Sequence, residues 1–246
     1  LVGYAYAFET KRVQFEKRTL RIPALPKHLD GYTIGVLADL HIGPTVDANW
    51  ARSVVQQLAD RKPDLVVVVG DFIGSHDSVL ESNRALAPVQ GALGVLGNWD
   101  YHDPVIRTAL SNVRLLINQG VQVAEHLWVG GVDEPRLGRP DVGRAMAGAP
   151  EGAVRILLSH EPDYADEIVA PEHRVALQIS GHSHAGQVRL PVLGPLLLPP
   201  GGRKYHTGWY QAEHCQVYTT RGLGTAHLPV RLFCPPEVSL LTLTPG

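Results

Sequence analysis

Cysteine is nearly absent from the 246-residue chain, with Cys215 and Cys234 the only two. Two thiols cannot build the disulfide framework of a small secreted scaffold, and they do not form a C-x-x-C pair. Two inert buried thiols are expected, with one bridge as the alternative. An excess of charge is absent as well: 22 Lys+Arg stand against 24 Asp+Glu, a formal net charge of −2. That balance excludes a disordered polyelectrolyte. It also argues against a dedicated nucleic-acid binder, whose usual footprint is a basic excess. No apolar run reaches the roughly 20 residues that cross a bilayer. No solenoid repeat, low-complexity tract or linker interrupts the chain. Neither a G-x-S-x-G elbow nor a P-loop is present.

What is there is a globular pattern. Hydrophobic residues make up 44% of the chain, and a chain of this length buries roughly 70–75% of its unfolded surface. The opening Leu1-Val2-Gly3-Tyr4-Ala5-Tyr6-Ala7-Phe8 carries no Met and reads as the tail of a longer apolar segment. An anchor or export signal upstream is therefore expected, and with it a membrane-anchored or exported protein, with a packed N-terminal strand as the alternative. Residues 9–22 read as an edge strand closed by Pro23 and Pro26. The segment 1–31 is set apart from a domain expected over 32–246. A buried strand is expected at 32–38. Asp47 is placed to cap a helix to about residue 61, whose Trp50, Val54 and Leu58 share one face. Lys62-Pro63 stops it, and the β-branched run Leu65–Val69 follows. Strand, helix, strand in that order implies a parallel, right-handed crossover. Further helices are expected at 82–90, from Asp103-Pro104 to about 111, and near 163–169. Further strands are expected at 94–96, 113–117, 121–124, 127–132, 154–159, 175–179, 215–220 and 238–243. The Leu-, Pro- and Gly-rich stretch 190–204 reads as a loop. The class is α/β, with layered sheets and helices outside.

Histidine is the unusual residue, at 12 copies. Strand-like runs end in Asp39/His41, Asp71, Asn98, His160 and His182/His184, and ligands of α/β sheets gather beyond such carboxyl ends. This oxygen and imidazole set, without thiolate, suits Mn²⁺, Fe²⁺ or Zn²⁺. In extended backbone, residues i and i+2 share a side, so Asp39 with His41, and His182 with His184, are expected to face one cleft. Gly70, Gly97 and Gly181 are expected to allow sharp turns there. Seven donors exceed what one ion takes from protein, whereas two ions sharing a carboxylate use them all. A lone His is more often a packed or surface group, and His28, His76, His126, His173, His206, His214 and His227 are read that way.

The ordered series Asp39-Leu40-His41, Gly70-Asp71, Gly97-Asn98-Trp99-Asp100, His160 and Gly181-His182-Ser183-His184 resembles the calcineurin-like metallophosphoesterases. Their pattern runs D-x-H, G-D, G-N-H-[D/E], a lone His, and G-H-x-H. A metallo-β-lactamase-type H-x-H-x-D-H fails, because Gly186 and Gln187 stand where Asp and His are needed. The resemblance covers roughly residues 32–187. Beyond it, 184–191, Gly194-Pro195-Leu196, Arg221-Gly222-Leu223-Gly224-Thr225 and Cys234-Pro235-Pro236-Glu237 are similar to one subgroup, the YkuE/YaeI-type bacterial phosphodiesterases. That subgroup is membrane-anchored or exported, and includes enzymes that cleave the pyrophosphate of UDP-2,3-diacylglucosamine.

The resemblance implies a four-layer α/β/β/α sandwich with mixed sheets. It implies a first ion on Asp39, His41 and His184, a bridge at Asp71, and a second ion on Asn98, His160 and His182. Manganese is the expected ion, with iron and zinc as alternatives. The implied reaction is hydrolysis of phosphate esters by metal-activated hydroxide, most directly by a phosphodiesterase or pyrophosphatase. A lipid-linked nucleotide such as UDP-2,3-diacylglucosamine, and so a place in lipid A biosynthesis, is the candidate substrate. A broad phosphomonoesterase or protein phosphatase is one alternative, and a metal-binding but catalytically silent module another.

One position departs from the family pattern. Its G-N-H reads Gly97-Asn98-Trp99 here. The usual His protonates the leaving oxygen, with Asp100 orienting it, and such general acid catalysis is worth about 10²–10⁴-fold. The Trp99 indole donates a hydrogen bond but no usable proton. Good leaving groups are therefore favoured, with His102 as a candidate substitute donor and simple packing as the plainer role for Trp99. The charge-free stretch 191–200, with Val192, Leu193, Leu196, Leu197 and Leu198, reads as an acyl-chain or membrane-surface contact, against a loop packed on the core. Arg189, Lys204 and Arg221, together with Trp99, are candidate substrate contacts, against ordinary surface charge. A phosphorylated small-molecule or lipid substrate is expected, and no nucleic-acid surface.

Overall fold

Two six-stranded mixed sheets stack face to face, and the helices lie outside them. A computed structural model describes residues 2–168 and 173–246. Leu1 of the apolar N-terminal octet and residue 169 of the helix expected near 163–169 lie outside the described residues.

The first half runs α1 (Val2–Ala7), β1 (Gln14–Ile22), β2 (Thr33–Leu37), α2 (Ala48–Ala59), β3 (Leu65–Val69), α3 (Val79–Ala85), β4 (Ala92–Val95), α4 (Ile106–Ala109) and β5 (Val113–Leu115). There follow β6 (Gln119–Ala124), β7 (Leu127–Gly131), α5 (Val142–Met146), β8 (Val154–Leu158), β9 (Val175–Ser180), the two-residue strands β10 (Arg189–Leu190) and β11 (Gly194–Pro195), β12 (Gly208–Gln211), β13 (Gln216–Thr219) and β14 (Glu237–Pro245).

The first sheet has the order β1-β14-β2-β3-β4-β5, and the second β12-β13-β9-β8-β7-β6. β2 to β5 are parallel to one another, as are β7, β8, β9 and β13. β14 lies antiparallel to β2 but parallel to β1, which forms the sheet edge. Alternation of side chains across each strand splits its residues between two layers. Ile34, Val36, Val67 and Val69 meet Leu127, Val129, Ile156 and Ile179 between the sheets. Leu37 and Val68 face Val54, Val55 and Leu58 of α2. Trp128, Leu157 and Val217 face Ala145 and Met146 of α5. The result is the α/β/β/α order.

α2 begins as its sequence directs: the Asp47 carboxylate accepts the Trp50 N–H at 2.8 Å, satisfying a donor that the first turn leaves open. Several other expectations need correction. The helix expected over 82–90 is α3 followed by a 3-10 turn at Ala87–Val89, because Pro88 has no N–H to continue it. The helix after Asp103 is a single turn, with the Asp103 carboxylate accepting from Val105 and Ile106. Near 163–169 a 3-10 stretch, Pro162–Glu167, takes the place of an α-helix. The N-terminal octet contributes a short helix rather than a strand, tied down where Ala5 O accepts the Arg231 N–H. α5, capped by Asp141, and β12 were not expected. Both cysteines are buried and free. Among the described residues, no helix is long and apolar enough to cross a membrane.

Candidate metal centre

The strand-end motifs of both sheets come together at one place. They do so in left-handed backbone, not in the extended backbone expected: φ is 51° at Asp39, 45° at His41, 53° at Asp71, 68° at His182 and 48° at His184. Such values are uncommon for non-glycine residues and persist only where the surroundings enforce them. Here cross-strand main-chain bonds do so. Asp39 N–H donates to Gly70 O, His41 N–H to Asp71 O, and Gly181 N–H to His160 O. The Asp39 carboxylate also accepts the His182 N–H, at 2.9 and 3.1 Å from its two oxygens. The glycine at position 97 has a different reason from the one expected. Its φ is not positive, but a Cβ there would lie 2.2 Å from Asp71 Oδ1.

Two buried groups of three side chains result. In the first, Asp39, His41 and His184 converge, with His41 Nε2 3.1 Å from His184 Nε2 and Asp39 Oδ1 3.7 Å from the latter. In the second, Asp71, His160 and His182 converge, with His160 Nε2 3.2 Å from His182 Nδ1. Asp71 Oδ2 lies between the groups, 3.3 Å from His160 Nε2 and 3.4 Å from His41 Nε2. Its other oxygen is held by the main-chain N–H of Trp99 at 2.9 Å.

Second contacts set the ring tautomers. His160 Nδ1 faces Val69 O at 2.8 Å, and His182 Nε2 faces Pro200 O at 2.9 Å. Carbonyl oxygens only accept, so each of those nitrogens carries a proton. The lone pairs of His160 Nε2 and His182 Nδ1 are then turned toward each other and toward a carboxylate, as in metal-ligating histidines. Nearby, the Asn98 side-chain oxygen is buried without a hydrogen-bond partner. Lone pairs crowded together and an orphaned carbonyl oxygen fit a divalent cation of the Mn, Fe or Zn kind.

Without the cation, a proton takes its place. Burial opposes a charged His160, but the Asp71 carboxylate outweighs it and raises the ring to about 10. Burial likewise opposes charge on Asp71, yet His160 and His41 hold it well below the usual carboxylate range. Burial pushes Asp39 up to about 7 and lowers His41 to about 4. Burial, with the charged His160 beside it, lowers His182 to about 3. His184 falls well below the ordinary value through burial, His41 and Arg231. That arginine is fully buried, and its Nη2 lies 3.3 Å from His184 Nδ1. Its guanidinium otherwise donates to main-chain carbonyls of Arg221, Gly222, Gly224 and Cys234. Nothing in the local sequence, a single basic residue within Leu228–Phe233, distinguishes it from surface charge.

A cavity of about 570 Å³ opens over the site, lined by Asp71, Asn98, Trp99, His182 and His184 on its floor. Leu196, Leu197, Leu198, Pro199, Pro200 and Leu228 form one wall, and Arg136 and Arg203 stand in the lining. Arg136 is tethered to Glu161, a contact that joins it to the His160 loop. The three cationic residues expected near substrate are not among the lining residues. Lys204 pairs with Asp166, Arg221 with Glu16 and Glu237, and Arg189 donates to Ala185 O. His102 is exposed and packs edge-on to Tyr101, outside the lining. Asp100 is fully buried beneath the cavity and accepts the Phe72, Ile73 and Gly97 N–H groups. It clamps the loops after β3 and β4 together, and burial, reinforced by Asp71, raises it to about 8. Trp99 lines the cavity between two imidazoles, 5.0 Å from the His41 ring and 5.3 Å from the His227 ring.

Comparison with known proteins agrees with this geometry. The profile of the family described as "Calcineurin-like phosphoesterase" matches residues 32–186. The "Uncharacterized metallophosphoesterase YkuE" of Bacillus subtilis is 30% identical over 256 residues, covering 98% of this chain and 89% of that protein. The "Phosphodiesterase YaeI" of Escherichia coli is 25% identical, covering 98% of this chain and 93% of that one. A "Transmembrane protein with metallophosphoesterase domain" of Danio rerio is 29% identical, covering 90% of this chain but 55% of that one.

Proposed function

The chain belongs to the calcineurin-like phosphoesterase family and is a metallophosphoesterase, and on that premise we propose that it hydrolyses phosphodiesters or pyrophosphates with two manganese ions. Asp39, His41 and His184 would hold one ion, Asn98, His160 and His182 the other, with Asp71 shared. The observation that carries this reading is Asp71 Oδ2, within 3.4 Å of a ring nitrogen in each group. Bound there, divalent ions supply Lewis acidity toward water and toward phosphoryl oxygens.

The chain's own residues do the rest. The Trp99 N–H fixes one Asp71 oxygen and leaves the other for the centre. Asp100 holds the loop that carries Asn98. Arg136 and Arg203 stand where they can pair with phosphate oxygens beyond the reacting one, and guanidinium suits such oxygens geometrically. The Trp99 ring gives no proton itself, and leaving groups that depart as stable anions, such as the phosphate of a pyrophosphate, place the least demand on a donor elsewhere in the cavity.

The cavity wall supports a lipid-linked substrate. Leu197 is 79% exposed beside the cavity, and Val192 and Leu193 of the same loop are exposed as well. An apolar lip beside two guanidinium groups suits a molecule with an acyl chain and phosphates, of the kind that UDP-2,3-diacylglucosamine represents, and contact with a membrane surface.

The test is hydrolysis by metal-stripped protein with Mn²⁺ restored, on an aryl diester, an aryl monoester and a UDP-lipid pyrophosphate. Mn²⁺-dependent turnover of the diester or the pyrophosphate is expected. Preference for the monoester would replace this reading with a phosphomonoesterase. Two bound ions without turnover on any of them would point to a silent module.

A further inference from the structure

Within the hydrolase reading just given, we propose that His227 donates the proton to the leaving oxygen, the task for which the neighbouring Trp99 carries no proton. His227 lies on the long loop between β13 and β14, far in sequence from the strand-end motifs, yet its side chain lines the same cavity as Asp71 and Asn98. The rings of His41, Trp99 and His227 follow one another at 5.0 and 5.3 Å. His227 is exposed while His41 is buried, so it occupies the next ring position outward from the first ligand group.

The loop is built to hold that position. The Gln187 amide oxygen accepts the Ala226 N–H at 2.8 Å, and its amide nitrogen donates to Ala226 O and to Leu228 O at 3.2 and 2.9 Å. One side chain thus grips the main chain on both sides of His227, whose own backbone is left-handed with φ of 59°. The imidazole itself is exposed, and its described contact is with the Trp99 ring, so both nitrogens are uncommitted. A pinned backbone with a free imidazole opening into a reaction cavity is what a proton donor needs. The other polar groups nearby are unsuited. Asp100 is spent on three main-chain N–H groups, and arginine does not release protons in this range.

In the step, water forms the new bond to phosphorus and gives up a proton to solvent. The bond from phosphorus to the leaving oxygen breaks, with its electron pair staying on that oxygen. An N–H proton of the His227 imidazolium passes to it, and the ring takes a proton back from solvent.

The decisive variant is His227→Asn, because Asn tolerates left-handed backbone and removes the imidazole. It is compared with the parent protein, both Mn²⁺-loaded, on methyl aryl phosphates whose leaving groups run from nitrophenol to phenol. For the phenyl ester kcat should fall by about 10²-fold, while the nitrophenyl ester is turned over at close to the parent rate. Mn²⁺ affinity, measured by calorimetry, should not change. An equal loss on both esters, a change confined to KM, or a loss of Mn²⁺ affinity would overturn the assignment. A parent protein inert on the whole series would overturn the hydrolase reading itself, and the assignment would fall with it.

Discussion

Replacing Asp71 by asparagine tests the electrostatics of the centre with almost no change of shape. The amide oxygen introduced by Asp71→Asn would still accept the Trp99 N–H, and only the charge would be lost. In the metal-free protein, that charge lies 3.3 Å from His160 Nε2 and lifts the ring from an ordinary 6.5 to about 10, against the pull of burial. A rise of that size corresponds to about 5 kcal/mol. Coulomb's law at this separation, with an effective dielectric near 20, also gives about 5 kcal/mol. Without the carboxylate, burial is opposed only by the Asp39 charge and the Val69 carbonyl, and the ring should titrate below neutral pH. A divalent ion loses roughly twice the attraction that a proton loses, but it no longer has to displace a proton at neutral pH. The balance leaves about 5 kcal/mol, or binding weakened by roughly 10³–10⁴-fold. Imidazole resonances of the metal-free protein, followed by NMR against pH, report the first quantity, and Mn²⁺ calorimetry the second. A His160 ring that still titrates near 10 in Asp71→Asn, or Mn²⁺ affinity within tenfold of the parent, would refute the reasoning.

In a His227→Asn background, Trp99→His should raise turnover of esters with poor leaving groups more than of esters with good ones; an equal change in a leaving-group series would remove the argument that position 99 supplies no proton. The metal-free chain should lose thermal stability as pH rises from about 6.5 to 9.5. Asp100 and His160 are raised in the fold, to about 8 and about 10, so over that window the folded state gives up a proton that the unfolded Asp100 has already lost and holds one that the unfolded His160 releases. Each contribution is present at low pH and is lost as pH passes through the folded value; a melting temperature that climbs over the same range contradicts it. Leu193→Asp with Leu197→Asp should abolish sedimentation with phospholipid vesicles while leaving the melting temperature unchanged, since both side chains are largely exposed; vesicle binding equal to the parent would remove the membrane-contact reading.

The strands, and the motifs at their ends, were legible in the residues alone because the signals are local. β-branched runs mark buried parallel strands, and right-handed crossovers carry their carboxyl ends to one edge of the sheet. Hence Asp39, His41, Asp71, Asn98, His160, His182 and His184 could be singled out with no coordinates. Helix lengths were less legible, since Pro88 and the Asp103 carboxylate end or begin turns within a few residues. The reasons behind the motifs were only partly legible. The paired ligands face inward through left-handed backbone held by neighbouring strands, and the glycine at position 97 makes room for a carboxylate 26 residues earlier in the chain.

Tertiary structure alone decided the rest. The lone pairs of His160 and His182 are aimed by the carbonyls of Val69 and Pro200, residues that no spacing rule connects to them. Arg136 and Arg203 enter the cavity lining while Arg189, Lys204 and Arg221 do not, and even the adjacent Arg203 and Lys204 part ways. Arg231 and His227 come to the site on a loop more than 150 residues away from His41 in the chain. Local pattern records how a segment folds onto its own strand or helix. Which loop tips meet across two stacked sheets depends on contacts between distant segments, and those contacts leave no period or spacing in the sequence.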